Sequence, residues 1–317
     1  MAGLMMNGWT SAPVALSILL LGTLSAAVDQ GAEAAAPSPA CAELDLTYRM
    51  SGGADNIREL NFHLFDAAKR GCLELAETLL EADASLTARD RFGNTALTLA
   101  ARVGHTDLVR YLLERGSAID HANLGGSTSL LRAVENQQPE SAALLLEAGA
   151  DPNVVNQRGM RPLIAASYNG DQHLVNLLLE HGADPDPADR TGKTAIVYAA
   201  GMGFAAIVGD LIAADVPADA VDAHRLTPLM WAAGHSDDVS PEDGLTTVER
   251  LIAEGADVAL ADDRGRTALM IAAERGHADI VERLITEGAD PQARDAAGKH
   301  AHELAATDQV RAVLDNP

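Results

Sequence analysis

Residues 90–120, DRFGNTALTLAARVGHTDLVRYLLERGSAID, are matched almost position for position by residues 262–290, DDRGRTALMIAAERGHADIVERLITEGAD. The equivalent residues Thr95, Thr128, Arg161, Thr194 and Thr227 fall 33 apart each time, and Thr267 arrives seven residues late. A fixed period of this length restricts the fold more than composition does. One unit is too small to bury its own apolar face, so neighbours must cover one another along a stack.

Each unit reads as helix–turn–helix. Thr227-Pro228 marks a helix start: threonine caps free amides and proline sits in the first turn, where its missing N–H costs nothing. Leu97, Ala100 and Ala101 then share one face, and the small alanines let helices approach closely. Gly104 permits the turn to a second helix. There Leu108, Val109, Leu112 and Leu113 form an apolar stripe of helical period, which Gly116 terminates. The polar run that follows suits a projecting hairpin.

Gly-x-Thr-Ala-Leu at 93–97, Ala-Ala at 100–101, Gly-His at 104–105, Leu-Leu-x-x-Gly at 112–116 and Gly-Ala-Asp at 149–151, 182–184, 255–257 and 288–290 together resemble the ankyrin repeat family. The resemblance covers residues 57–317 and implies an all-α repeat fold. That fold is a solenoid of about six full helix–turn–helix units with projecting hairpins and a capping unit at each end. Units begin at 57, 90, 123, 156, 189, 222, 262 and 295, with an insertion near 234–243. It further implies a concave face lined by first helices. The family's Thr-Pro-Leu-His tetrapeptide never occurs with its histidine: Thr98, Leu131, Ile164, Val197, Met230 and Met270 stand there, so hydrogen bonds give way to packing. Asp215 and Pro217 replace Gly-Ala-Asp in the fifth unit, which is expected to loosen its junction with the sixth.

Apolar residues make up 47% of the 317 residues but aromatics only 3%, so the core is built from Ala and Leu, as packed helices prefer. The formal net charge is −23, with every charged residue at or beyond Asp29. That excludes a basic nucleic-acid footprint and disfavours anionic membrane surfaces. Residues 1–27 hold the uncharged run PVALSILLLGTLSAA, with small residues at its end, and read as a signal peptide or an N-terminal anchor, although no Lys or Arg precedes the run. Residues 28–56 read as a linker, Ala/Pro-rich over 29–39. The expected location is therefore outside the cytoplasm, in the periplasm, with inner-membrane anchoring as the alternative. Cys41 and Cys72 are either a disulfide tying the leader to the first unit or two unrelated thiols.

Most chemical motifs dissolve on inspection. Gly-Met-Gly-Phe-Ala-Ala at 201–206 imitates a dinucleotide fingerprint but falls at an inter-helix turn without a preceding strand. Ten histidines are scattered over different units, and no ligand spacing accompanies His300 and His302. The insertion's Asp237, Asp238, Glu242 and Asp243 lack calcium-loop spacing, and Ser240-Pro241 reads instead as the start of a lengthened helix. No serine elbow or zinc-protease helix occurs. No cofactor, metal or catalysis is expected.

Partner recognition is the remaining reading, by a monomeric, non-catalytic scaffold that binds another protein. The candidate contact residues are Arg91, Phe92, Arg102, Val103, Leu124, Arg158, Met160, Tyr168, Asn169, Lys193, Met202, His224, Leu226, His235 and Arg266, on hairpins or at the ends of first helices. The hairpin bases are alternatively paired with hairpin aspartates Asp90, Asp189, Asp222, Asp262 and Asp295. Tyr198 and Trp231 share one repeat position and are expected in the core, whereas Arg132 at that position needs a carboxylate partner or a water-exposed slot. A rival function is an accessory protein holding a small ligand, metal or haem for an exported enzyme.

Overall fold

The computed structural model describes residues 38–50 and 56–316; the segment read as a signal or anchor lies outside them. After α1 (Pro39–Met50) come helix pairs: α2 (Ile57–Arg70) with α3 (Leu73–Glu81), α4 (Ala96–Val103) with α5 (Thr106–Glu114), and α6 (Ser129–Glu135) with α7 (Pro139–Glu147). Then follow α8 (Pro162–Asn169) with α9 (Gln172–Glu180), α10 (Ala195–Gly201) with α11 (Ala205–Ala213), and α12 (Pro228–Ala233) with α13 (Pro241–Ala253). The stack ends with α14 (Ala268–Arg275) and α15 (Ala278–Thr286), then α16 (Ala301–Leu304) and α17 (Asp308–Asp315). First helices pack on first helices and second on second, and at most junctions the first helices approach more closely, which curves the array toward them. Among the described residues no regular strand forms; one isolated bridge joins Ala261 and Thr267.

The sequence sets these helices locally. Thr95, Thr128, Thr227 and Thr267 each accept a hydrogen bond from the amide three residues on, closing the first turn. Arg161, at the equivalent position, instead donates to the Asn153 carbonyl at 2.9 Å. Leu97, Ala100, Ala101, Val109 and Leu112 are completely buried, and the same positions of each unit continue one core along the array. At Gly170 the turn between α8 and α9 has φ +73°, and a Cβ there would lie 2.5 Å from the Phe204 ring of the next unit. Glycine thus serves both the backbone and the close approach of neighbouring units.

Three departures from the expectations have physical causes. The stretch read as linker contains α1, because Cys41 and Leu44 bury one side of it against the first unit and a disulfide joins Cys41 to Cys72. The position left without the family's histidine is not purely apolar in α4: the Thr98 hydroxyl lies 3.1 Å from that of Thr95 and 3.2 Å from that of Ser129 in the next unit. The junction after α11 stays packed. Asp215 adopts φ +67°, where glycine stands in the other full units, and Val216 is buried in the core. The cost falls on one residue's backbone rather than on the interface.

Candidate binding surface on the hairpin and first-helix side

Every full unit opens with Asp or Asn, and the structure gives that residue one task. Asp90 accepts from the amides of Phe92 and Asn94 at 2.8 and 2.9 Å, and Asn156 from those of Arg158 and Met160 at 2.9 and 3.0 Å. Asp222 does the same with His224 and Leu226, and Asp262 with Arg264 and Arg266. These local bonds compete with any extended ladder and shape the hairpin tip. Neighbouring tips are then tied through backbone, as in Leu124 N–H to the Phe92 carbonyl at 2.9 Å and Gln157 N–H to the Gly125 carbonyl at 2.9 Å. At these junctions the edge is tied rather than a series of free loops; among the described residues no backbone bond joins the tips of the units that begin at 189 and 222.

Because the hairpin carboxylates are occupied by amides, most hairpin bases find other partners. Among the described hairpin bases, Arg264 alone pairs with a hairpin aspartate, Asp262, at 3.3 Å. Arg158 reaches Glu135 of the preceding unit at 3.2 Å, and Arg132 meets the same carboxylate at 2.7 Å. This supplies the acid that Arg132 requires. Arg266 pairs with Glu274.

The centre of the array carries an aromatic cluster. Tyr168 and Tyr198 meet edge to face with centroids 5.6 Å apart. The Lys193 ammonium lies 4.2 Å from the Trp231 ring and 5.4 Å from that of Tyr198. Tyr198 and Trp231, expected in the core, are only partly buried, because each turns its polar atom toward a hairpin carboxylate. The Tyr198 hydroxyl donates to Asp189 at 2.8 Å and the Trp231 indole N–H to Asp222 at 3.1 Å. Burial alone would raise the Asp189 carboxyl, but hydrogen bonds from Thr191, Tyr198 and Lys193 outweigh it and hold the group below its ordinary value. Burial and then Asp189 push the Tyr198 phenol up.

Charge divides between the two sides of the stack. Over residues 90–294, the hairpins and first helices with their ends carry eleven Lys or Arg against seven Asp or Glu. The second helices and the loops after them carry five against twenty-four. The acidity of the chain is thus a property of its second-helix side.

The structure sorts the candidate contact residues by exposure. Arg91, Phe92, Val103, Leu124, Arg158, Tyr168 and His224 are exposed, and the Arg91 guanidinium covers the Phe92 ring at 4.6 Å. Arg102, Met160, Asn169, Lys193, Met202, Leu226 and Arg266 are half-buried; Asn169 spends its amide on the Val134 carbonyl at 3.1 Å. His235 is corrected: it is 4% exposed and contributes no surface. The insertion covers it. Its ring stacks on His277 with centroids 4.0 Å apart, its Nδ1–H donates to the Ser236 carbonyl at 3.0 Å, and its Nε2 is buried beside Gly244 of α13 without a partner. Ser240 caps α13, accepting from Asp243 N–H at 3.1 Å, with Pro241 in the first turn. Sequence reasoning did not single out Glu135 and placed Tyr198 and Trp231 in the core, whereas both are half-buried, with Tyr198 packed against the core. The detectable signal was a polar-tipped aromatic nine residues after a hairpin aspartate.

Among the described residues no group of three or more His, Cys, Asp or Glu side chains is arranged to hold a metal ion. His302 does meet Asp315 at 3.2 Å, beside a hollow of about 240 Å³ at the C-terminal end. Among the described residues no helix is long and apolar enough to cross a membrane.

Stacked helix pairs with a tied hairpin edge and a side-chain-rich first-helix face define a repeat scaffold. The chain belongs to the ankyrin repeat family: the family model described as ankyrin repeats (3 copies) matches residues 64–156, 144–222, 163–241, 211–295 and 239–315. Among solved structures it is similar to the crystal structure of the human ASB11 ankyrin repeat domain, with a TM-score of 0.63 and 28% identity over 70% of this chain and 96% of that one. No curated protein sequence matches. Ankyrin repeats are generally protein–protein interaction modules and typically non-catalytic.

Proposed function

We propose that this chain is an exported, non-catalytic scaffold that captures a partner protein on its first-helix face and hairpin edge. The observation that carries the reading is the central cluster of Tyr168, Tyr198, Lys193 and Trp231, in which Tyr168 is exposed and the half-buried rings of Tyr198 and Trp231 are fixed by the hydrogen bonds they donate to hairpin carboxylates. Aromatic side chains already fixed by such bonds lose little freedom on binding, which is how a preorganised surface gains affinity. Export, to the periplasm in a bacterial cell, is supported by the Cys41–Cys72 disulfide, since such bridges persist in oxidising compartments, and by the uncharged apolar run early in the chain.

The test is capture of the partner from an envelope fraction by the wild-type chain and by Tyr168→Ala plus Met202→Ala. Capture should weaken while the helical circular dichroism stays unchanged. Unaltered capture, or loss of the fold, counts against the assignment. N-terminal sequencing of the native protein reports whether the leader is removed.

A further inference from the structure

The hairpins of the two central units carry three bases, one of which, Lys193, lies against the aromatic cluster. Arg158 and Arg190 occupy neighbouring tips, linked by the Arg190 N–H to the Arg158 carbonyl at 3.4 Å, and Lys193 lies on the same hairpin as Arg190. The carboxylates nearest to them are already engaged. Asp189 receives the Thr191 amide and hydroxyl, the Lys193 amide and the Tyr198 hydroxyl. Asp222 is buried and receives two amides and the Trp231 indole. Glu135 is shared between Arg132 and Arg158. Among the described residues Arg190 and Lys193 have no carboxylate partner: one is exposed, and the other rests on the Trp231 ring. The patch therefore offers uncompensated cations beside apolar ring faces, on the side of the array where bases outnumber acids.

We propose that the partner segment seated on this face is acidic, an extended Asp/Glu-bearing stretch of protein with apolar or aromatic side chains between its acids. The proposal rests on the binding-face reading above and adds the chemistry of the occupant. Its carboxylates would pair with Arg190, Lys193 and the free edge of Arg158, and its apolar side chains would lie on Tyr168 and Trp231. The acids of the second-helix side do not oppose this. They lie a helix layer away, about 10 Å, and at physiological salt exposed charges separated by more than about 8 Å are largely screened. A basic partner would find its complement on the second-helix side instead, which makes the sign of the partner's charge diagnostic of the face it uses.

The test uses the full chain with Trp9→Phe, so that Trp231 is the single tryptophan reporter. Twelve-residue peptides alternating glutamate with leucine and phenylalanine are titrated against lysine and serine versions of the same pattern. The glutamate peptide should shift Trp231 emission and bind more tightly than the other two. Arg190→Glu plus Lys193→Glu should weaken it roughly tenfold or more, two exposed ion pairs at the upper end of their range. Arg190→Gln plus Lys193→Gln should give a smaller loss with the fold intact, and Arg110→Glu on α5 should change nothing. Equal or tighter binding of the lysine peptide overturns the proposal, as does glutamate-peptide binding indifferent to both double variants, or none at millimolar concentration. If the lysine peptide binds and Tyr168→Ala abolishes it, the binding face stands and only its preference for acids falls.

Discussion

Removing the disulfide with Cys41→Ser plus Cys72→Ser should loosen the N-terminal end of the array and leave its middle unchanged. The bridge spans a sequence separation of 31. On the chain-entropy account, closing a loop of that length lowers the entropy of the opened state by about 12 cal/mol/K, or about 4 kcal/mol at 25 °C. Few other contacts hold α1: Tyr48 is partly buried against the core, and its ring meets that of His63 edge to face with centroids 5.5 Å apart. Leu44 is its other buried side chain, worth about 2 kcal/mol at most, and the Arg70 guanidinium reaches the Ala40 carbonyl at 3.4 Å in an exposed bond. Those contacts do not offset the cost of ordering a helix of 12 residues at about 1 kcal/mol or more each. Its internal hydrogen bonds must therefore be supplemented by the bridge. With α1 free, α2 loses the helix packed against it, and the opening free energy of the first unit should fall by up to about 4 kcal/mol. Amide hydrogen exchange read by mass spectrometry gives this directly. Protection of residues 57–81 should drop by as much as several hundredfold, while residues 130–180 hold theirs, because each unit contacts only its neighbours. Equal protection of 57–81 with and without the bridge would refute the reasoning. So would a uniform loss along the whole array.

Three further outcomes are expected. Burial, and then the neighbouring His235 ring, depress His277 below its ordinary value near 6.5, so the unfolded chain takes up this proton first. Stability present above about pH 6.5 should be lost as pH falls toward the depressed value, and His277→Gln should flatten that part of the thermal-melting profile. Gly170→Ala should destabilise by about 2 kcal/mol or more, since it forces an L-residue to positive φ and drives Cβ into the Phe204 ring; a chemical denaturation curve with an unchanged midpoint would disprove it. Tyr198→Phe should cost about 1–2 kcal/mol in the same measurement, the worth of a hydrogen bond to a carboxylate, with no change in the helical spectrum.

The repeat was legible because it is written in backbone chemistry. Glycine at turns, threonine at helix starts and alanine at contacts are demanded by local geometry, and each recurs at its own place in the period. The insertion was legible for the same reason: Ser240-Pro241 caps a helix wherever it occurs. The surface was less so. Whether an aromatic nine residues into a unit is core or surface depends on a bond to the hairpin aspartate, which no period reveals. His235 looked like surface because its equivalents Val103 and Asn169 lie at the open ends of first helices; only the fold of the insertion over it buries the ring. The helix at 39–50 was hidden because its stability comes from a partner 31 residues away rather than from its own apolar pattern.

The division of charge has a practical consequence for anyone handling the protein. A body with acids crowding one flank and bases the other carries an electric moment across its stacking axis, and it will settle on a cationic resin or coated sensor with the second-helix flank down. That orientation leaves the hairpin row facing the liquid. Amine coupling does the reverse: the chain has three lysines, and one of them, Lys193, stands at the middle of the proposed recognition surface. Attachment through that side chain would cover the proposed surface while leaving every spectroscopic sign of the molecule's integrity intact.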